Sequence, residues 1–267
     1  MIEIKNDSSK NDGTREGMLS MYRFYVENEN IKEDEIIITG SDVNHIKNVL
    51  RMRVGEKLII CNGQGKDFYC IIADMSSDGV RVQIEKEEET ATELKTKLYL
   101  FQGLPKKDKM ELIIQKAVEL GVHEIIPVIT KRTIVKIEDK KKEQKKMERW
   151  ETISLSAAKQ SMRGLIPTIK EPMSYKEALK YAKNLDAAII PFEHAEGMNA
   201  TKSLIKDMKG KKSIGIFIGP EGGFEDDEIT TAISEGVTPI TLGKRILRTE
   251  TAGLAILSVL MFELEED

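Results

Sequence analysis

The chain has 267 residues, of which 40% are hydrophobic, 32% charged and 5% aromatic, with a formal net charge of −4. That length fits one large domain or two modest ones, and the apolar share supports a packed core, which excludes a wholly disordered chain. The most apolar stretch, 252–264, is shorter than the roughly 20 residues that cross a bilayer, residues 1–20 hold no apolar secretion block, and Cys61 and Cys70 make neither a disulfide framework nor a zinc spacing, so we expect no membrane, no metal and a reducing, cytoplasmic setting.

Residues 1–20 mix Asn, Asp, Ser, Lys and Gly without periodicity and read as a disordered extension. From Met21 the signals are those of β-structure. A short helix fits between Asp42, as its N-cap, and Leu50. Lys57 to Cys61 and Phe68 to Ala73 flank Asn62-Gly-Gln-Gly65, a hairpin turn rich in residues that tolerate positive φ. Val80 to Ile84 alternates as a further strand. Residues 21–92 thus read as a small β-barrel, with the charged run Glu85 to Glu93 as a linker.

In 93–267 the period changes. Leu98 to Gln102 is a strand, and Met110, Ile113, Ile114, Ala117 and Val118 form a helical stripe closed by Gly121. Ile125 to Ile129 is a strand, followed by a long charged helix from about Glu138 to Met162. Ser174 and Glu177 form a capping box. Strand 187–191, helix 202–208, strand 213–218, helix 226–235, strand 239–242 and a final helix from about Thr249 complete the chain. Strand and helix alternate, which predicts an α/β domain with a mostly parallel sheet covered on both faces. Basic residues dominate 93–170, between acidic flanks. This is either a footprint for a polyanion or, in the run Lys140 to Lys146, a solvated helix face.

Ligands of such a sheet bind at the loops beyond the carboxyl ends of its strands. Three loops there are unusual: Pro191 to His194, Gly219 to Phe224, and Leu242 to Ala252. The second has neither the phosphate-loop ending nor the dinucleotide glycine spacing. The helix after it opens with Glu225-Asp-Asp-Glu228, which suits a helix N-terminus but disfavours phosphate, so a neutral or cationic ligand fits better. Its glycines let backbone approach a flat ring, or serve a tight turn alone. The third loop carries apolar Ile246 and Leu247 among Lys244, Arg245 and Arg248. Such a connection is either buried or wrapped around a ligand, or it is the first turn of the last helix with Thr249 as N-cap.

Phe217-Ile-Gly-Pro-Glu-Gly-Gly-Phe224 and Leu242-Gly-Lys-Arg-Ile-Leu-Arg-Thr-Glu-Thr-Ala252 resemble the signature of the SPOUT methyltransferases. More closely, the chain is similar to the family that methylates N3 of a uridine in bacterial small-subunit (16S) ribosomal RNA. Further matching stretches are Lys109-Met-Glu-Leu-Ile-Ile-Gln-Lys-Ala-Val-Glu-Leu-Gly121, Glu148-Arg-Trp150, Ala157-Ala-Lys-Gln-Ser-Met-Arg163, Arg23-Phe-Tyr-Val26 and His45-Ile-Lys-Asn-Val-Leu-Arg51. The resemblance covers about residues 21–264. It implies a C-terminal domain tied as a deep trefoil knot, an exception to the usual threading rule. It implies a PUA-like N-terminal barrel that helps hold RNA, and a homodimer with the site near its interface. It implies S-adenosylmethionine bound in a bent shape among the three loops. The residues so implied are Pro191, Phe192, Ile218, Gly219, Pro220, Glu221, Gly222, Leu242, Gly243, Ile246, Leu247, Arg248, Thr249 and Ala252. The partner would be 16S ribosomal RNA within the small ribosomal subunit.

Uridine N3 carries a proton at neutral pH, which must be removed, or the forming anion stabilised. Arg163 is the candidate to stabilise charge on the uracil oxygens, with a surface ion pair as the alternative. Glu250 and Glu111 are candidate bases, with ion pairing or helix capping as alternatives. Arg23, Arg51 and Arg53 are candidate RNA contacts in the first module. Lys106, Lys107, Lys109 and the Lys140 to Lys146 run are candidates in the second. His45, His123 and His194 are scattered without ligand spacing. Two other readings stand beside this one: a related methyltransferase acting on transfer RNA, and an RNA-binding assembly factor without catalysis. The intact 219–223 and 242–252 segments weigh against the latter.

Overall fold

The structure, a computed structural model, describes residues 21–134 and 140–266, with nothing stated of the Lys140 side chain. The extension expected at 1–20 and the start of the long helix at Glu138 lie outside these residues. The chain divides into two compact units, Met1–Thr90 and Ala91–Asp267. Among the described residues no helix is long and apolar enough to cross a membrane.

The first unit holds β1 (Arg23–Tyr25), β2 (Glu35–Ile38), α1 (Ser41–Asn44) running into a π-helical turn at His45–Val49, β3 (Lys57–Cys61), β4 (Lys66–Met75) and β5 (Val80–Glu89). They form a five-stranded sheet in the order β1-β3-β4-β5-β2. The β3–β4 turn falls where expected, with Gly63 at φ 70° and Gly65 at φ 93° taking the left-handed backbone a side chain would strain. The helix starts one residue before Asp42, with Gly40 rather than Asp42 in the capping position. The run Glu85–Glu89 is strand, not linker. It pairs with Lys66–Tyr69 of β4, and the opposite-sign pairs Lys66–Glu87 and Lys57–Glu85 offset its charge. Ile36, Ile38, Ile46, Leu58, Ile60 and Ile72 fill this unit's own core.

The second unit runs β6 (Lys97–Gly103), α2 (Lys109–Glu119), β7 (Val122–Ile129), α3 (Lys140–Gln160), β8 (Thr168–Ile169), β9 (Met173–Ser174), α4 (Tyr175–Ala182), β10 (Ala187–Pro191), α5 (Met198–Lys206), β11 (Ser213–Ile218), α6 (Asp226–Ser234), β12 (Thr238–Ile240) and α7 (Thr249–Leu264). The sheet order is β12-β10-β11-β6-β7-β8, with β9 also on β7, and each described pairing is parallel. Alternate side chains of one strand serve opposite layers. Leu98, Leu100, Ile216 and Ile218 pack with α2, α3 and α7, while Phe101 and Phe217 pack with α4 and α6. The rings of Phe101 and Phe217 stack at 4.4 Å across β6 and β11. Burial on both faces explains why these strands read as continuous apolar runs. The α2 stripe is fully buried, Gly121 ends that helix at φ 84°, and the Ser174–Glu177 capping box is formed.

Candidate active-site cleft

The carboxyl ends of β10, β11 and β12 open into a cavity of about 780 Å3. Chain reversal there rests on glycine. A Cβ on Gly219 would lie 3.0 Å from the Gly223 backbone, and one on Gly103 would lie 2.6 Å from Pro220. The turn 219–223 is thus pressed against the end of β6, with Gly223 at φ 70° closing it. Every residue expected to hold a cofactor, from Pro191 to Ala252, lines this cavity.

Below the turn lies a polar chain in an otherwise apolar core. Gln102 is wholly buried at the end of β6. Its amide donates to Thr249 Oγ1 at 2.9 Å and to the Gly103 carbonyl at 3.0 Å. The Thr249 hydroxyl donates to the Gly219 carbonyl at 2.6 Å. Thr249 therefore fastens the start of α7 beneath the turn and is not the helix cap, a position taken by Arg248. Gln102 Oε1 lacks a partner. Its one sequence signal was a polar residue inside a buried apolar strand.

Charge around the turn is closely paired. Arg132 reaches Glu225 through two nitrogens at 2.8 and 3.1 Å and donates to the Gly222 carbonyl. Its stem also lies against Gly222, where a Cβ would come within 3.2 Å. Lys131 pairs with Asp227, and its backbone N–H donates to Glu228. The hydrogen bonds from Arg132 and Lys131 hold the Glu225 and Asp227 carboxyls below their ordinary range. Two of the four acids at the start of α6 are thus paired by the residues that follow β7. Lys109, at the start of α2, lies 3.1 Å from Glu221 and 3.3 Å from Glu250. Burial pushes the Glu221 carboxyl up, but its own backbone N–H, that of Lys106 and the Lys109 ammonium together outweigh it, and the net shift is downward. Arg132 went unseen in the sequence, and Lys109 was read only as a phosphate contact, because both partnerships join segments about a hundred residues apart.

The remaining candidates separate. Arg163 is not in the cleft. It sits at the opposite end of the sheet, where its guanidinium binds Glu93 and donates to the carbonyls of Val118 and Val122 at the start of β7. Its side chain is 5% exposed in this buried ion pair. Glu111 is bound by Arg149 between α2 and α3. Glu250 touches the cleft through Lys109. Arg23 in the first unit has a side chain 7% exposed, in an ion pair with Asp67. Arg51 and Arg53 are exposed in the first unit, Lys106 and Lys107 are exposed beside Glu221, and Lys146 lies over the Trp150 ring on α3. His194 stands edge-on to Phe192 at the cleft wall.

Residues 92–261 match the family model described as an RNA methyltransferase domain, and residues 38–85 match that of an RNA methyltransferase PUA domain. The ribosomal RNA small subunit methyltransferase E of Bacillus subtilis is 36% identical over 92% of this chain and 98% of its own length. That of Mesomycoplasma hyopneumoniae is 40% identical over 89% and 98%. The crystal structure of the Neisseria gonorrhoeae enzyme of that name, bound to S-adenosyl methionine, superposes with a TM-score of 0.75 at 32% identity, covering 91% of this chain and 97% of the other.

Proposed function

This chain belongs to the ribosomal RNA small subunit methyltransferase E family, and from that premise we propose that it methylates N3 of a uridine in 16S ribosomal RNA. The observation that carries this is the cleft at the carboxyl ends of β10 to β12, where the three loops 191–194, 219–224 and 242–252 converge on one cavity, with Gly223 and Gly243 at positive φ turning two of them. Its volume suits a nucleoside-sized molecule. Gly219 and Gly223 let backbone come close to a ring, Leu242 and Leu247 supply apolar wall, and of the acids at the start of α6 Glu225 and Asp227 are paired with Arg132 and Lys131 while Asp226 lines the cavity. These features fit S-adenosylmethionine, which when bound supplies a methyl group activated on a sulfonium. Pro191, Phe192 and Ile218 complete the proposed binding wall.

The residues of the chain then have two tasks. They hold the uracil edge in line with the methyl, which alone supplies much of a displacement rate. They also accept the N3 proton. Glu250 is the proposed acceptor, linked to the cleft wall by Lys109 and through it to Glu221. Arg51, Arg53, Lys106 and Lys107 are the proposed outer phosphate contacts.

We further propose a homodimer that acts on the small subunit in the cytoplasm. Val259 and Phe262, one turn apart on α7 and 47% and 83% exposed, are the apolar face offered to a second copy. The burial of Thr249 beneath Gly219 supports the knotted path, which tracing the closed chain from 213 to 264 tests.

The decisive experiment incubates the protein and labelled S-adenosylmethionine with unmodified small subunits, naked 16S RNA and transfer RNA, followed by nucleoside mass spectrometry. 3-Methyluridine in the 16S RNA is expected. Label confined to transfer RNA would overturn the reading. Absence of S-adenosylmethionine binding by calorimetry would favour a non-catalytic RNA-binding factor.

A further inference from the structure

The cations around the cleft fall into two groups. Lys109, Lys131 and Arg132, on the side of the 219–223 turn, are each held by carboxylates. Lys244, Arg245 and Arg248, on the facing lip, line the same cavity and are exposed, and their side chains have no hydrogen-bond or ion-pair partner among the described residues. Between them stands Ile246, which lines the cavity and is 91% exposed, the highest value among the large apolar residues described. Gly243, at φ 105°, turns the chain into this lip.

Three unneutralised cations within five residues, surrounding an apolar tip, suit a partner that is both anionic and able to bury an apolar side chain. A nucleic acid strand is such a partner: phosphates supply the charge and base faces the apolar surface. The chemistry makes a further demand. Uridine N3 lies on the Watson–Crick edge, so a paired or stacked uridine must leave its stack to reach the methyl donor. The gap it leaves is commonly filled by an apolar side chain inserted between bases.

We propose that residues 244–248 form the RNA-engaging lip of the cleft: Lys244, Arg245 and Arg248 hold the phosphates flanking the target nucleotide, and Ile246 enters the stack that the uridine vacates. This rests on the reading of the chain as an RNA methyltransferase. It divides the third loop by atom type, main chain toward the cofactor and side chains toward RNA.

The test uses the full chain and unmodified 16S RNA, naked and in small subunits, whichever the wild type methylates. In Lys244→Ala, Arg245→Ala and the double variant, S-adenosylmethionine affinity by calorimetry is expected to stay within about twofold of wild type, while the KM for RNA rises. The plot of log RNA affinity against log salt should flatten by about one unit per removed cation. Ile246→Ala should leave that slope unchanged. With the methylated uridine mapped, 2-aminopurine beside it in a short RNA should brighten with wild type and stay quenched with Ile246→Ala. A wild-type KM and salt slope in the double variant, or full brightening with Ile246→Ala, overturns the proposal. If Ile246→Asp instead converts a dimer to monomers in sedimentation, the lip joins two copies of the chain and the proposal is equally overturned. A wild type that binds S-adenosylmethionine but methylates no RNA removes the premise, and the lip falls with it. That result differs from a wild type that is active and variants that are indifferent.

Discussion

Arg163 illustrates what a local motif conceals. A fork-shaped cation in a matching stretch looks catalytic, yet its partner Glu93 lies 70 residues earlier, and that acid also accepts the backbone N–H groups of Gly164 and Leu165. Nothing in the neighbourhood of Arg163 along the chain announces this. Removing one member of a buried pair strands the other, so Arg163→Ala should cost about 3–5 kcal/mol of stability. Urea unfolding measures this, and a fully stable variant with lost turnover would restore Arg163 to the chemistry. Lys109 is the converse case. Its neighbours in α2 are core residues, but its ammonium ties the turn after β11 to the start of α7 through Glu221 and Glu250. Lys109→Met should weaken S-adenosylmethionine binding about threefold to tenfold, with Lys109→Arg recovering most of it, as expected when coupled charges share a site. Calorimetry on the three proteins decides it. Equal affinity throughout would leave Lys109 without a part in shaping the cleft.

Among the elements, those with a clear period were legible: the α2 stripe, the Ser174 cap, and the strands at Ala187–Pro191 and Ser213–Ile218. Elements stabilised by long-range charge were not. Glu85–Glu89 looked like a linker because its charges have no local partner, and only the pairing with β4 supplies one. The α6 terminus follows the same logic in the second unit. Its acids disfavour anionic ligands in sequence, and Lys131 and Arg132, just after β7, pair with two of them, Asp227 and Glu225. This arrangement has a pH signature. Glu225 and Asp227 titrate below their unfolded values of 4.5 and 3.8, so they stabilise the fold above those values. That contribution is lost as pH falls through the lower folded values. Amide protection factors in α6, corrected for the intrinsic exchange rate at each pH, should therefore fall on acidification below about pH 4.5, ahead of those in α2. In Arg132→Met the Glu225 share of that acid sensitivity should vanish, and an unchanged pH profile in the variant would separate the Arg132–Glu225 pair from the stability of α6.

At the scale of the molecule, the candidate cleft is built wholly from residues beyond Ala91, while the first unit encloses a core of its own. The two-part organisation was legible because the hydrophobic period changes near Leu94. The cleft's outline was legible because its glycines and its misplaced apolar pair stand out in sequence. The lattice of ion pairs that sets its shape was not, since each pair joins distant segments. This separation carries a thermodynamic consequence. A ligand that binds only the folded second unit stabilises it by mass action, about 2.7 kcal/mol at a hundred times its Kd. Saturating the full chain with S-adenosylmethionine should slow amide exchange in β6, β11 and α7, whose opening destroys the cleft. The amides of β3, β4 and β5 should keep their rates, because their opening leaves the cleft intact. Equal slowing in both units would mean that the barrel and the methyltransferase domain open as one cooperative body, and the assignment of binding energy to the second unit alone would fail.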